Sequence, residues 1–290
     1  MPAKPENTVA KPRLLYRPDP VIGWSLTPEY SIKVGFRPDV IQTIDADGWR
    51  HVPDRPKAGS RLGVYGCSFT FGTGLADAET FCAVLQRDLP TVRVLNRGIG
   101  GHGTVQNLLQ FRRDIRKGRV DAAVFAIISD HRFRNIAHPQ RMRQYLVREW
   151  HSLGVEHVPV ARLNADGRVR FVYHPIWQPV IRDAEFDIFL PDEYMINAAT
   201  LAVLALVQET AQAADVPLRF VLLDALDPEF SRAVMDRFPQ TIDVSTPYDQ
   251  EHTFLPKDLH PNVAANRLFA DRLVPFVSEL VDATQTEGPR

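Results

Sequence analysis

The sequence predicts an open α/β fold on a parallel, doubly wound sheet, and three observations predict it. Short apolar runs alternate with stretches of helical periodicity from residue 61 onward. One run, residues 122–128, is apolar without a break, as expected of a strand covered on both faces. The runs at 62–65, 92–95 and 122–128 each lead into glycine or polar residues, the loops where such sheets carry their sites.

The totals agree with that class. The chain has 290 residues, 44% of them hydrophobic, and a formal net charge of −1. That is enough for one sizeable α/β domain with additions, and it excludes global disorder. The near-neutral balance argues against a dedicated nucleic-acid binder. No apolar run approaches the roughly 18 residues of a membrane span. The start is cationic without an apolar core, so it does not read as a secretory signal. Cys67 and Cys82 are too few for a disulfide scaffold or a structural zinc site. The expectation is a soluble cytoplasmic protein with reduced thiols.

In chain order, residues 1–18 are rich in Pro, Lys and Arg and read as a mobile tail. Residues 19–60 hold short strand-like pieces, Val21-Ile22-Gly23-Trp24, Ser31-Ile32-Lys33-Val34 and Val40-Ile41-Gln42-Thr43-Ile44, separated by turns such as Asp45-Ala46-Asp47-Gly48. They read as a small β-rich extension packed on a main domain, residues 61–284. The main domain opens with the strand Leu62-Gly63-Val64-Tyr65, then the turn Gly66-Cys67-Ser68-Phe69-Thr70. A helix over 78–89 follows, with Phe81, Leu85 and Leu89 on one face and Pro90 as its stop. Val92-Arg93-Val94-Leu95 is the second strand. A helix then runs from Thr104, a plausible cap, to Gly118, with Val105, Leu108, Phe111 and Ile115 aligned.

Residues 131–190 break the rhythm and read as an insertion or lid. Within residues 131–151, Arg132, Arg134, Arg141, Arg143 and Arg148 stand against Glu149 alone, and residues 157–174 form a hairpin around Asn164-Ala165-Asp166-Gly167. Regular order resumes with a helix over 192–214, a strand over 218–223, a helix over 228–237 and a strand over 241–244. A final helix is capped by Asn262, with a buried stripe of Leu268, Phe269, Leu273 and Phe276.

A serine on a tight turn at the carboxyl end of a strand is presented outward, as a nucleophile must be; the same residue can equally cap a loop. Acyl transfer by serine also needs a base, an orienting partner and donors for the oxyanion. Asp258-x-His260, before the last helix, supplies a carboxylate and an imidazole on one side of an extended backbone. It is also an ordinary surface pair near a helix start. Asp249, Glu251, His252, Asp258 and His260 lie close together in sequence, but their spacing matches no strong metal pattern. The N–H groups of Ser68 and Gly101 are natural oxyanion donors, since Gly98, Gly100, Gly101 and Gly103 let the chain approach closely. The alternatives there are a flexible connection or a phosphate-cradling loop.

These blocks together resemble the SGNH/GDSL hydrolase family, in order and spacing, over residues 61–280. Gly66-Cys67-Ser68-Phe69-Thr70 is similar to its first block, Asn96-Arg97-Gly98-Ile99-Gly100-Gly101 to its second and Asp258-Leu259-His260-Pro261-Asn262 to its last. The resemblance implies a flavodoxin-like three-layer α/β/α sandwich with a five-stranded parallel sheet. It also implies hydrolysis or transfer of ester-linked acyl groups, with no cofactor and no metal. Ser68 is the implied nucleophile, His260 the base, Asp258 its partner and Gly101 the oxyanion glycine. The segment with Gly23-Trp24 and Asp47-Gly48-Trp49-Arg50 resembles an extension in some bacterial members.

Two positions depart from the family. Cys67 replaces the usual aspartate, as a small buried filler or an alternative thiol nucleophile. Asp130 stands where an oxyanion asparagine is expected, and an ionised carboxylate cannot donate. Either Asp130 stays protonated, or it pairs with Arg132, Arg134 or His131 and another donor serves, Asn135 and His131 being candidates. A fold-retaining binding protein without catalysis is therefore the alternative from another class, and an O-acyltransferase the alternative on the same residues. Cys67, His102, His131, Arg132 and Arg134 are candidates to meet the substrate. The arginine-rich segment reads as recognition of an anionic group, a carboxylate, phosphate, coenzyme A or carrier-protein arm, or as a solvated face. The run Phe171-Val172-Tyr173-His174-Pro175-Ile176-Trp177 reads as a lid, an acyl-pocket wall or hairpin core. The expected partner is a small or carrier-linked acyl ester.

Overall fold

The computed structural model describes residues 14–139, 141–142, 153–176 and 191–285. It opens with two antiparallel pairs, Tyr16–Asp19 (β1) with Gly23–Leu26 (β2), and Tyr30–Val34 (β3) with Arg37–Ile44 (β4). The tail is thus shorter than the composition suggests. Tyr16, Arg17 and Pro18 are paired with Leu26, Ser25 and Trp24, and Pro18 is tolerated in a two-stranded ribbon with a free edge. Residues 1–13 lie outside the described residues.

The main sheet begins at Arg61–Gly66 (β5). Ser68–Phe71 (α1) is a single helical turn, a short 3₁₀ turn covers Asp77–Glu79, and Phe81–Asp88 (α2) follows. Then come Arg93–Gly98 (β6), Thr104–Arg116 (α3), Ala122–Ile127 (β7) and His131–Asn135 (α4). The hairpin is His157–Leu163 (β8) with Val169–Pro175 (β9). The chain continues through Glu193–Gln212 (α5), Leu218–Leu222 (β10), Pro228–Arg237 (α6), Ile242–Asp243 (β11) and Val263–Gln285 (α7). The five sheet strands lie in the order β11-β10-β7-β5-β6, and every pairing among them is parallel. With β5 taken as the first strand this is the 2-1-3-4-5 order of the flavodoxin-like class. The expected three-layer α/β/α sandwich is therefore the observed one.

Period-two alternation along β7 sorts its side chains between two cores. Ala122, Val124 and Ala126 pack in one apolar cluster with Phe81 and Leu85 of α2 and Phe269 and Leu273 of α7. Ala123, Phe125 and Ile127 pack on the other face with Leu108 and Phe111 of α3, Val203 and Val207 of α5 and Phe230 of α6. Each such fully buried Leu or Phe contributes about 2 kcal/mol. On α7 the buried stripe runs Phe269, Leu273, Val277; Phe276, expected inside, is 40% exposed because it falls a quarter-turn off the four-residue row. Helix α5 is long and apolar enough, by length and composition alone, to cross a membrane. It packs Ile196, Ala199, Val203, Leu204 and Val207 inward.

The N-terminal ribbons pack on the main sheet. Ile22, Trp24, Leu26 and Ile44 share a cluster with Phe71 and Ile99 and with Val158, Val160 and Ile176 around the β8–β9 hairpin. Arg50 has no exposed side-chain surface. It donates to the carbonyls of Phe71 (3.2 Å), Leu75 (3.0 Å) and Thr43 (3.2 Å), and it pairs with Asp77.

Candidate active site

Ser68 is the first residue of α1, directly after β5, and Phe71 N–H donates back to the Cys67 carbonyl at 2.8 Å. Two features hold this turn tight. Asn96 on β6 donates through Nδ2 to the Thr70 carbonyl (2.8 Å) and accepts from Gly98 N–H (3.0 Å). Gly98 lies so close that a Cβ there would stand 2.3 Å from Phe71 N. The second block of the sequence thus acts first as a seat for the serine turn. The loop continues to Gly101, whose φ of +81° suits glycine. Among the described residues nothing accepts the N–H of Ser68 or of Gly101, so both donors are free.

Asp258 and His260 sit in a closed loop before α7. Phe254 N–H donates to the His260 carbonyl (3.1 Å), and Asn262 N–H to that of His252 (2.9 Å). Within it Asp258 Oδ1 accepts both the backbone N–H of His260 (2.8 Å) and its ring Nδ1–H (2.6 Å). The pair is thus a side-chain-bonded turn, and this fixes the imidazole better than the extended dipeptide expected from sequence. Burial pushes the Asp258 carboxyl up, but the hydrogen bonds from the side chain and backbone of His260 outweigh it, and the net position is lowered. Nδ1 being taken, Nε2 is the nitrogen left for a substrate or a hydroxyl. The imidazole lies edge-on to Phe69, centroid to centroid 5.7 Å, next door to Ser68. Ser68 Oγ makes no hydrogen bond among the described residues; such contacts are commonly loose before substrate binds. No cluster of metal-ligating residues occurs among the described residues; His252 is instead paired with Asp249 through Nδ1 at 2.8 Å.

Several expected substrate or oxyanion groups are spent on structure. Asn135 is fully buried, its Oδ1 accepting from Val105 N–H (3.1 Å) and its Nδ2 donating to Thr200 (3.2 Å), so it anchors α4 to α3 and α5. Arg132 is 4% exposed and holds Glu193, Asn197 and Asp227 together at the starts of α5 and α6. His102 and His131 are fully buried. His102 Nε2 donates to the Trp24 carbonyl at 3.0 Å, and burial depresses the ring to about 3. His131 contacts Thr104 Oγ1 at 3.4 Å and is likewise held neutral by burial. Neither ring is placed to meet a substrate. Cys67 is 1% exposed within the apolar layer under α2 and α7, as the filler reading expects.

Asp130, the departure at the oxyanion position, is ion-paired. Arg134 donates through Nε to Oδ2 at 2.8 Å, and Arg141 stands 3.9 Å away. Burial raises the carboxyl, but the charges of Arg134 and Arg141 outweigh it and hold it below its ordinary value. Asp130 is therefore a carboxylate at neutral pH and not a donor. Arg134 also donates to the His102 carbonyl at 2.8 Å. Arg143, Arg148 and Trp177 lie outside the described residues, and the rest of the aromatic run, Phe171 to Pro175, is β9.

Sequence reasoning passed over three residues on this edge. Asp224, just after β10, accepts from Ser129 N–H at 3.1 Å and from its hydroxyl, and burial raises its carboxyl. Tyr248 has its phenol pushed up by burial, then by Asp224, Asp258 and Asp130, so it stands among the carboxylates of three separate loops. An acid closing an apolar strand, Leu222-Leu223-Asp224, was the available signal for the first pair; Tyr248 has none.

No family model matches the chain, and no curated protein matches it significantly. Solved structures similar to it are lipolytic proteins and esterases. A member of the lipolytic G-D-S-L family from Veillonella parvula is 11% identical over 76% of this chain and 99% of its own, with a TM-score of 0.44. The psychrotrophic esterase EstA from Pseudoalteromonas is 10% identical over 77% and 99%, with a TM-score of 0.42. An acetylxylan esterase from Geobacillus stearothermophilus is 14% identical over 78% and 96%, with a TM-score of 0.42.

Proposed function

We propose that the protein is a serine-dependent ester hydrolase. The observation that carries the reading is the Asp258–His260 hydrogen bond of 2.6 Å, in a loop whose imidazole packs on Phe69 beside the serine of α1. A carboxylate on Nδ1 fixes the tautomer that leaves Nε2 as the base.

Ser68 Oγ attacks the ester carbonyl carbon while its proton passes to His260 Nε2. The oxygen that gains the negative charge is held by the N–H groups of Ser68 and Gly101. Collapse breaks the ester C–O bond, and His260 returns the proton to the departing alcohol. Water then adds to the acyl-enzyme with His260 again taking a proton, and the acid leaves as Ser68 is reprotonated. If an alcohol takes the place of water, the same steps give acyl transfer. Asp130 donates nothing to these steps, and its charge is paired with Arg134 and Arg141.

The test is fluorophosphonate labelling together with nitrophenyl acetate turnover. Labelling and turnover should disappear in Ser68→Ala and survive in Cys67→Ala. Loss in Cys67→Ala alone would make the thiol the nucleophile. A folded wild-type protein that neither labels nor turns over would favour a binding function. Acetylated product formed with added glycerol would favour transfer.

A further inference from the structure

Resting on that reading, we infer that Trp24, from the N-terminal ribbon, is a positioning residue for the oxyanion donor Gly101 N–H. Trp24 is fully buried, and its indole N–H donates to the Gly100 carbonyl at 3.0 Å, across 76 residues of chain. The Gly100–Gly101 peptide is trans, the one cis bond among the described residues being Leu255–Pro256. In a planar trans peptide the N–H points opposite to the carbonyl of the same unit. A carbonyl drawn toward Trp24 therefore turns the Gly101 N–H away from the ribbon, and among the described residues nothing accepts it.

The grip is reciprocal. His102 Nε2–H donates back to the Trp24 carbonyl at 3.0 Å, and the two rings meet edge to face at 5.1 Å. The indole also fills the space beside Gly101, where a Cβ would come within 3.1 Å of it. Both sides of the Gly100–His102 segment are thus tied to one residue of β2. The bond to the Gly100 carbonyl polarises the shared peptide as well, which strengthens the N–H as a donor. A donor held in place before the reaction needs no reorganisation as charge develops.

The experiment replaces Trp24 with β-(3-benzothienyl)alanine by site-specific incorporation. This keeps the ring shape and removes the N–H; Trp24→Phe is the simpler companion. With nitrophenyl acetate, kcat should fall about tenfold while KM stays within about twofold, the pattern of a contact that matters only in the transition state. The rate ratio of ester to matched thionoester should shrink, because sulfur accepts hydrogen bonds poorly. 7-Azatryptophan at the same site, which keeps the N–H, should restore both. An unchanged kcat in the benzothienyl protein would overturn the inference, as would a rise in KM alone or a loss that azatryptophan fails to rescue. Wild-type protein without turnover, or Ser68→Ala with it, would instead overturn the serine reading and this inference with it.

Discussion

Asp130 and Arg134 lie one helical turn apart and share a charged hydrogen bond of 2.8 Å, while a second guanidinium nitrogen of Arg134 holds the His102 carbonyl. A carboxylate that looked damaging to an oxyanion site thus orients the cation that braces the glycine loop. Asp130→Asn should keep turnover within a few-fold and cost about 0.5–1 kcal/mol at neutral pH, the worth of a half-exposed pair. The pH dependence has a definite sign. The folded carboxyl sits below its ordinary value of 3.8, so its contribution is present above that value and is lost as pH falls through the folded one. Urea melts of the two proteins should therefore differ at pH 7 and draw together as pH falls below 3.8.

Asp258→Asn changes the group that fixes His260 while keeping its size. The amide can donate to Nδ1 and select the wrong tautomer, so kcat should fall by about 10²–10⁴-fold. Fluorophosphonate labelling should slow in parallel, and thermal melting should move little, since Asp258 and His260 are both 26% exposed. Labelling at the wild-type rate would remove Asp258 from the mechanism.

His102 gives the fold a sensitivity to mild acid. Its folded ring titrates near 3 against 6.5 when free, because burial disfavours the charged form. Between those values the unfolded chain binds a proton that the folded chain refuses, so stability falls as pH drops below 6.5. For this one group the loss from pH 7 to pH 5 is about 2 kcal/mol. His102→Gln, which keeps a donor for the Trp24 carbonyl, should flatten that gradient in denaturation midpoints measured at the two pH values.

Gly98→Ala tests the seat of the serine turn. The added methyl would lie 2.3 Å from Phe71 N and 2.7 Å from the Thr70 carbonyl carbon, both backbone atoms that cannot step aside cheaply. A loss of about 3 kcal/mol is expected. Residual activity should fall further than in Gly35→Ala, a surface control with nothing within 4 Å of its Cβ position.

What could be read in the sequence was local. The unbroken run 122–128 becomes β7 because both of its faces are covered, and Asp258-x-His260 is a pair because both partners lie in one turn. Asn135, Arg132 and His131 were less legible for the opposite reason: a short helix turns them onto Thr200, Glu193 and Thr104 of other elements. Trp24 reaches Gly100 across the whole of β3 to β6, a distance that periodicity does not report. The mobile-tail reading overran because composition registers Arg17 and Pro18 but not their pairing with β2.

The carbonyls that follow α1 find their donors outside the main sheet. Gly72 is served by Gln42 (2.7 Å), Gly74 by Arg37 (2.9 Å), and Phe71 and Leu75 by Arg50. The parallel sheet is therefore not a portable module. Recombination that transplanted it without residues 37–50 would hand on a serine whose supporting turn had come apart, so the ribbon and the sheet must be inherited as one unit.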